Sequence, residues 1–307
     1  MIGWDWCMKE NDKMKKAYSA SWKLMKAKMR ADKRVEDVEA LESIEESDVI
    51  IVRGSYDFIE NVFDSVGLPY TLISMSDLER FRLDPKQSLL VNCPGIIENN
   101  SEKIIDNIKS FVRNGGFLLT TDWSLRNVLE PVFPGYARYN DIPTSDECVR
   151  VEILDKESPF VRGVMDNPEL DDPVWWLEGS SYPIEILDKE RIKILIYSDE
   201  LKERYGEGNV AIYFTYGEGT VFHMISHYYL QRAETRTQRH AKGAETFAQE
   251  KGITNKEILD EMKDLNVAEA ESAYSSAQFF ANIMAEQKKR SLAKEKKEDK
   301  SKDDSEK

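Results

Sequence analysis

The stretch FVRNGGFLLTTDWSLRNV, residues Phe111–Val128, decides the fold of this chain. It reads as the end of a helix, a Gly-Gly turn, a buried strand over Phe117–Thr121, a sharp turn and a new helix. In an open α/β sheet, the turn after such a strand lies at the carboxyl edge, where ligands bind. The turn here carries Asp122, Trp123 and Ser124. An enzyme built on this plan usually has a cysteine or serine nucleophile at that place, so the side chains do not match the backbone pattern.

The sequence around this stretch alternates between strands and helices. We predict strands at Asp48–Arg53, Pro69–Ser74, Ser88–Asn92 and Phe117–Thr121, with helices at Asp57–Val66 and Lys103–Val112. The second half is richer in strands, predicted at Val149–Leu154, Ile184–Leu187, Ile192–Tyr197, Val210–Thr215 and Thr220–Ser226, with Tyr216–Gly219 as a hairpin turn. This order predicts an α/β fold: a doubly wound, flavodoxin-like, mostly parallel sheet with helices on both faces.

Helical segments flank the predicted sheet on both sides. Residues 1–47 form a predicted N-terminal helical extension, and residues 48–287 form the α/β domain. Within that domain, Arg232–Asn266 is a helical excursion and Ala268–Ala285 is a final amphipathic helix that covers the sheet. Residues 288–307 have almost no apolar side chains, so we expect a disordered charged tail.

The N-terminal helix carries one apolar stripe, formed by Tyr18, Trp22, Met25 and Met29 at helical spacing. Two interpretations remain open. The stripe packs against the body of the chain, or the helix protrudes and binds a protein partner through these side chains.

Composition excludes several classes of function. The net charge of −14 argues against nucleic-acid binding, because phosphate contacts need clustered Lys and Arg. No apolar run approaches the roughly 20 residues that cross a bilayer, so we expect no membrane insertion. Cys7, Cys93 and Cys148 lack close spacing, which suits free thiols in a reducing cytoplasm and makes cytoplasmic the expected location.

Histidine and cysteine provide the candidate catalytic groups. Cys93 follows a predicted strand and is either a nucleophile with His227 as its base or a small buried hydrophobe. His223 and His227 have the spacing of a helical zinc pair, but on a strand they lie roughly 13 Å apart, too far for one ion. We therefore predict no metal site and no cofactor.

The other candidates would bind a ligand. The predicted ligand-binding residues lie near the carboxyl edge and are Arg53, Gly54, Asn92, Gly95 and Trp123. Arg53 either receives an anion or pairs with Asp122 across the strand ends. Trp175 and Trp176, with Glu178 and Tyr182, either line a ligand site or anchor a loop to the core.

Four phrases of the sequence carry a family resemblance. They are Asn92–Gly95 (NCPG), Phe111–Leu119 (FVRNGGFLL), Ser158–Val164 (SPFVRGV) and Tyr216–His227 (YGEGTVFHMISH). In this order, between Asp48 and Arg232, they resemble the class I glutamine amidotransferase-like superfamily. The closest similarity is to its trehalose-utilisation-type members, which are not amidotransferases.

The resemblance implies a cysteine nucleophile at the strand-turn-helix elbow, with a histidine and a glutamate later in the chain. The elbow here is Asp122-Trp123, and His227 is followed by Tyr228 and Tyr229 instead of the family's His-x-Glu motif. The standard triad is therefore not found, and we expect no glutamine hydrolysis by that route.

The leading hypothesis is a catalytically inactive, cytosolic binding or scaffold module for a protein partner or small ligand, contacted through the terminal helices. The alternative is a hydrolase or lyase with a non-standard site formed by Asp122, His227 and Cys93, with Arg53 holding an anionic substrate. A small-molecule sensor is a third possibility. Convergence of the three side chains on an open pocket favours the enzyme, whereas a pocket filled by Trp123 or by Trp175-Trp176 argues against it.

Overall fold

The computed structural model describes residues 2–165, 174–228, 235 and 237–305, with side chains described for 12–165, 174–228, 235 and 237–296. The α-helices are α1 Ile2–Ala31, α2 Val35–Glu42, α3 Ile59–Val66, α4 Glu102–Arg113, α5 Glu130–Val132, α6 Asp199–Tyr205, α7 Glu245–Glu250, α8 Lys256–Met262 and α9 Val267–Ser305. The strands are β1 Val49–Val52, β2 Thr71–Ile73, β3 Ser88–Val91, β4 Phe117–Thr121, β5 Ala137–Tyr139, β6 Glu147–Arg150, β7 Glu152–Ile153, β8 Val174–Leu177, β9 Ile184–Ile186, β10 Lys193–Tyr197, β11 Asn209–Tyr216 and β12 Gly219–Met224.

The main sheet has the order β2-β1-β3-β4-β12-β11-β10-β7. The strands from β2 to β12 are parallel, and β11, β10 and β7 continue the sheet in antiparallel fashion. β1, β3 and β4 are buried along their whole length, as their continuous apolar sequences require. Because the parallel strands point the same way, the segments after β1, β3, β4 and β12 meet at one edge.

Helices cover both faces of this sheet. The chain moves from β1 to β2 in one direction and from β3 to β4 in the other, and right-handed crossovers then place α3 and α4 on opposite faces. α3 packs with α1, and α1 in turn packs with α9, whereas α4 packs with α5. The flavodoxin-like α/β fold with added terminal helices is thus confirmed, as is the hairpin turn, since Tyr216 pairs with Gly219.

The apolar stripe of α1 is part of the chain's own core. Tyr18, Trp22, Met25 and Met29 are at most 5% exposed, and the Tyr18 hydroxyl donates to the carbonyl of Tyr228 at 2.5 Å. These four side chains are therefore not available to a partner, and the predicted partner-binding role is corrected. The reason is that α1 lies along α9, which supplies the apolar surface that the stripe needs.

The expected disordered tail is also corrected, because α9 continues through residues 288–305 as helix. The described basic side chains at its start find acidic partners on the body. Lys288 Nζ lies 2.6 Å from Asp48 Oδ2, and Lys289 Nζ lies 2.7 Å from Asp37 Oδ1. Composition alone missed this, because the charges that look solvated in sequence are paired across the fold. Residues 306 and 307 lie outside the described residues.

Other predictions in the second half were partly wrong. The single strand predicted at Val149–Leu154 is two strands: β6 pairs with β8 in a separate two-stranded sheet, whereas β7 pairs with β10. β5, β8 and α6 were not predicted. The excursion predicted at Arg232–Asn266 contains α7 and α8, and its residues 232–234 and 236 lie outside the described residues.

The ion pair between the terminal helices leads to a stability prediction. Burial alone would raise the pKa of Asp37, but hydrogen bonds from Lys289 and Arg34 outweigh it and hold the pKa below its ordinary value of 3.8. We expect Asp37→Asn to lower the free energy of unfolding by about 2 kcal/mol, measured by urea denaturation at pH 7. Asp32→Asn, in the exposed pair with Lys28, is the control and should change little.

The pH dependence of this effect has a defined sign. Because the folded-state pKa of Asp37 is lowered, its contribution is present above pH 3.8 and is lost as the pH falls through the folded pKa. The difference between wild type and Asp37→Asn should therefore shrink below that pH. An equal difference at both pH values would contradict the assignment.

Candidate functional site

Four chain segments bring polar side chains to the carboxyl edge of the sheet. Asp57 follows β1, Cys93 follows β3, Asp122 follows β4 and His227 follows β12. All four residues are buried. The topology thus assembles residues that are far apart in sequence, because each one lies just beyond a parallel strand.

Asp122 occupies the elbow between β4 and the following helical turn. Its φ is +44°, a left-handed conformation that is uncommon for a non-glycine residue and is typically retained at functional sites. Its amide donates to the Met224 carbonyl at 2.9 Å, and its Oδ1 accepts from the amide of Tyr182 at 3.0 Å. Oδ2 is thereby directed at its two neighbours, 3.5 Å from His227 Nε2 and 3.8 Å from Cys93 Sγ.

His227 lies between two carboxylates. Its Nε2 faces Asp122, and its Nδ1 lies 3.1 Å from Oε1 of Glu178, the residue that follows β8. The imidazole is 9% exposed and Glu178 is 16% exposed, so both are largely shielded from water. The three residues form a chain of acid, histidine and acid.

Cys93 is held by its backbone as well as by its strand. Its carbonyl accepts from the amides of Ser55 and Tyr56 at 3.0 and 3.2 Å. This contact requires Gly54, because a Cβ there would come within 2.4 Å of the Cys93 carbonyl oxygen. The loop after β1 is therefore fastened over the thiol.

Negative charge dominates the electrostatics of the site. Asp57 lies beneath it, fully buried, where it accepts from Thr121 Oγ1 at 2.7 Å, and burial raises its pKa. Burial likewise raises the pKa of Asp122 to about 6, an effect that His227 partly offsets. Burial alone would lower the pKa of His227, but the charge of Asp57 and the hydrogen bonds to Asp122, Cys93 and Glu178 raise it well above its ordinary value. Burial raises the pKa of the Cys93 thiol to about 11.

These residues face a cavity of about 350 Å³. It is lined by Tyr56, Cys93, Asp122, Trp123, Trp176, Glu178, Gly179, Ser180 and His227. The Trp123 ring stands edge-on to Tyr56 and stacks on Tyr182, while its Nε1 donates to the Ser180 carbonyl at 2.7 Å. Trp123 and Trp176 are thus walls of the cavity and leave its interior open.

The structure brings together Cys93, Asp122, His227 and Trp123 of the predicted site residues. The remaining predicted ligand-binding residues are placed elsewhere, and those assignments are corrected here. Arg53 is exposed, and its charge acts on Tyr70, not on Asp122, whose carboxylate pairs with His227.

Asn92, Gly54 and Gly95 have structural contacts. Asn92 Oδ1 accepts from the amide of Ile59 at 3.2 Å and so holds the start of α3. Gly54 permits the close approach to Cys93. Gly95 has φ +63°, and a Cβ there would meet Ser124 Oγ at 2.5 Å.

The tryptophan pair divides its roles. Trp175 Nε1 donates to Ser226 Oγ, and its ring packs edge-on against Phe279, so it anchors β8 to the body. Trp176 lines the cavity and donates to Asp146 Oδ1 at 2.8 Å. The two residues lie on a strand, so the expectation of a loop was wrong.

Sequence reasoning missed the roles of Asp57, Tyr56 and Glu178. Glu178 was considered only as part of an aromatic wall, because the family resemblance places the acid just after the histidine. Here the acid comes from β8, which lies earlier in the chain. Its one local signal is a carboxylate directly after an aromatic strand.

Three of these side chains offer metal-ligating atoms in close proximity. The ligand atoms of Cys93, Asp122 and His227 all lie within 4.8 Å of one another. They supply one sulfur, one oxygen and one nitrogen. His223 takes no part in this cluster, since its Nδ1 lies 2.9 Å from Thr120 Oγ1 inside the sheet.

His223 makes stability depend on pH. Burial lowers its pKa to about 3, so between pH 6.5 and 3 the unfolded chain binds a proton that the folded chain does not. We expect this residue to reduce the free energy of unfolding by about 1.4 kcal/mol per pH unit below 6.5. His223→Leu should lack that slope when urea unfolding is compared at pH 7 and pH 5. The same slope in both proteins would show that the imidazole titrates normally.

Comparison with known proteins gives only distant structural similarity. The sequence matches no protein-family model and no curated protein. A protein from Bacteroides uniformis described as ThuA-like is 9% identical, with a TM-score of 0.41, and the match covers 59% of this chain and 82% of that one. A protein from Thermoplasma acidophilum described as belonging to GMP synthase is 11% identical, with a TM-score of 0.39, over 59% of this chain and 84% of that one.

The similarity extends to part of a larger enzyme. The GH42 β-galactosidase Gan42B of G. stearothermophilus is 15% identical, with a TM-score of 0.38, and the match covers 58% of this chain. The chain spans 27% of the length of that β-galactosidase. In the part of the chain that the structure describes, no helix has the length and apolar character needed to cross a membrane.

Proposed function

We propose that this chain is a hydrolase in which the cluster of Cys93, Asp122 and His227 activates the attacking water. One observation carries the proposal: Asp122 lies 3.5 Å from His227 and 3.8 Å from Cys93, and all three face an open cavity. Catalytic groups must first meet in space beside a site that a substrate can enter. This convergence is the condition that favours an enzyme over an inactive module.

Glu178 extends the cluster in a way that suits catalysis. A reactive histidine needs a third group that fixes its ring, and Glu178 lies 3.1 Å from His227 Nδ1. The strained backbone of Asp122 supports the same conclusion, because a left-handed aspartate costs free energy that the surrounding structure must supply.

The lining of the cavity indicates the class of substrate. Its described residues offer two carboxylates, Asp122 and Glu178, and three aromatic rings, with no lysine or arginine among them. Such a surface disfavours phosphate or carboxylate groups. We propose a small neutral or cationic substrate, in place of the anion that the sequence assigned to Arg53.

The test uses chromogenic substrates and a thiol control. p-Nitrophenyl acetate, a p-nitroanilide and a p-nitrophenyl glycoside would be offered to wild type, Cys93→Ala and Cys148→Ala. We expect turnover of at least one probe, lost in Cys93→Ala and retained in Cys148→Ala, whose thiol lies on β6 outside the cluster. Equal rates in both variants would contradict the proposal.

The second candidate is the catalytically inactive amidotransferase-like module. It is supported by the aspartate at the elbow and by a Cys93 side chain that is 1% exposed. A partner would bind to surfaces other than the buried stripe of α1. Ligand-dependent stabilisation without turnover of any probe would favour this module.

A further inference from the structure

We infer that Cys93, Asp122 and His227 form a binding site for one divalent metal ion, with zinc as the best fit. The three side chains come from the ends of β3, β4 and β12, and their ligand atoms lie within 4.8 Å of one another. Each belongs to a residue type that binds zinc in proteins. The role of the metal in activating water rests on the proposed function, whereas metal binding itself does not.

The distances are those of a nearly formed tetrahedral site. Zinc bonds of about 2.0–2.3 Å place neighbouring ligand atoms about 3.3–3.8 Å apart in a tetrahedron. The oxygen of Asp122 lies 3.5 Å from Nε2 of His227 and 3.8 Å from the sulfur of Cys93. Small side-chain rotations therefore complete the geometry without movement of the backbone.

An unpartnered nitrogen gives an independent indication of a ligand. His227 is 9% exposed, and its Nε2 makes no hydrogen bond, although it points into the cluster. A buried imidazole nitrogen without a partner is costly, and a metal ion would satisfy it. The other nitrogen, Nδ1, faces Glu178 at 3.1 Å, which is the carboxylate–histidine arrangement that orients metal ligands in zinc sites.

The charges around the cluster call for a cation. Asp57, Asp122 and Glu178 surround a single imidazole in a largely buried space, and the described cavity lining includes no lysine or arginine. A divalent ion would offset this excess of negative charge. The mixture of sulfur, nitrogen and oxygen selects zinc over magnesium or calcium, which prefer oxygen ligands alone.

A three-residue site leaves a fourth position open toward the cavity. Catalytic zinc sites have three protein ligands and a water molecule, whose pKa the metal lowers to about 7. Such a site would provide the activated water that the proposed hydrolase requires.

The experiment measures metal binding without reference to activity. The full-length protein would be stripped with a chelator, reloaded with zinc and analysed by elemental analysis, and its affinity would be measured by competition with a chromogenic chelator. Cobalt(II) would then replace zinc, because a thiolate ligand gives cobalt a sulfur-to-metal charge-transfer band. The variants are Cys93→Ser, His227→Asn and Glu178→Gln, with Cys148→Ser as the matched control.

We expect about one zinc per chain in wild type and in Cys148→Ser, and a cobalt–sulfur band that Cys93→Ser lacks. His227→Asn should lose tight binding, and Glu178→Gln should weaken zinc binding about 10–100-fold. The inference is overturned if wild type retains no zinc or if Cys93→Ser and His227→Asn bind it as wild type does. Zinc binding without hydrolysis would overturn the proposed function and leave the metal site in place.

Discussion

Replacing Asp122 with asparagine is expected to lower kcat/KM for the best chromogenic substrate about 1,000-fold. Asparagine keeps the shape of the side chain and the acceptor for the Tyr182 amide, but it removes the negative charge that faces His227 and Cys93. The left-handed backbone tolerates asparagine as well as aspartate, so the fold should survive. The rate would be measured beside the melting temperature of each protein.

Asp141→Asn is the matched control for this substitution. Asp141 is also an aspartate with positive φ, at +64°, but it is exposed and pairs with Arg126 on the surface. It should hydrolyse the substrate at the wild-type rate. If Asp122→Asn retains a rate within a few-fold of wild type while remaining folded, the elbow carboxylate takes no part in the reaction.

Replacing Phe280 with alanine is expected to lower the free energy of unfolding by about 3–5 kcal/mol. Phe280 is 0% exposed on α9, with its ring centroid 4.9 Å from that of Phe63 on α3 and 6.1 Å from that of Tyr228. Its loss would leave a cavity where α9 joins the body. Urea denaturation would measure the change.

The control for Phe280→Ala is Leu154→Ala, because Leu154 is 48% exposed and should change stability by less than about 0.5 kcal/mol. A similarly small change in Phe280→Ala would mean that α9 is an appendage. The expected large change would establish that it belongs to the core.

The parallel half of the sheet was predictable from sequence because its strands are short, continuous apolar runs. Val49–Val52 and Phe117–Thr121 are buried on both faces, so they lack the alternation that blurs half-buried strands. The elbow at Asp122 followed directly from the Gly-Gly turn and strand before it. Local pattern was sufficient wherever local sequence determines burial.

The site was only partly predictable, because its members meet through topology. Cys93, Asp122 and His227 were named from their places after strands, but the contact of Glu178 with His227 depends on where β8 lies relative to the main sheet. No spacing in the chain encodes that contact. Arg53 failed for the related reason that residues after one strand can point away from the common edge.

The terminal segments were misjudged because charge pairing is long-range. Lys288 and Lys289 look solvated in a Lys- and Glu-rich tail, yet they pair with Asp48 and Asp37 far earlier in the chain. The stripe of α1 was compatible with a partner only as long as α9 was unknown as its neighbour. In both cases the missing information was the identity of the packing partner.

The central claim is that the cluster at the carboxyl edge is a working site. Its most direct test is the hydrolysis rate of p-nitrophenyl acetate and the related probes, measured side by side for zinc-loaded wild type and His227→Asn. We expect wild type to turn over at least one probe well above the protein-free rate, and folded His227→Asn to show only that background. Background rates in wild type with every probe, or equal rates in the two proteins, would contradict the account.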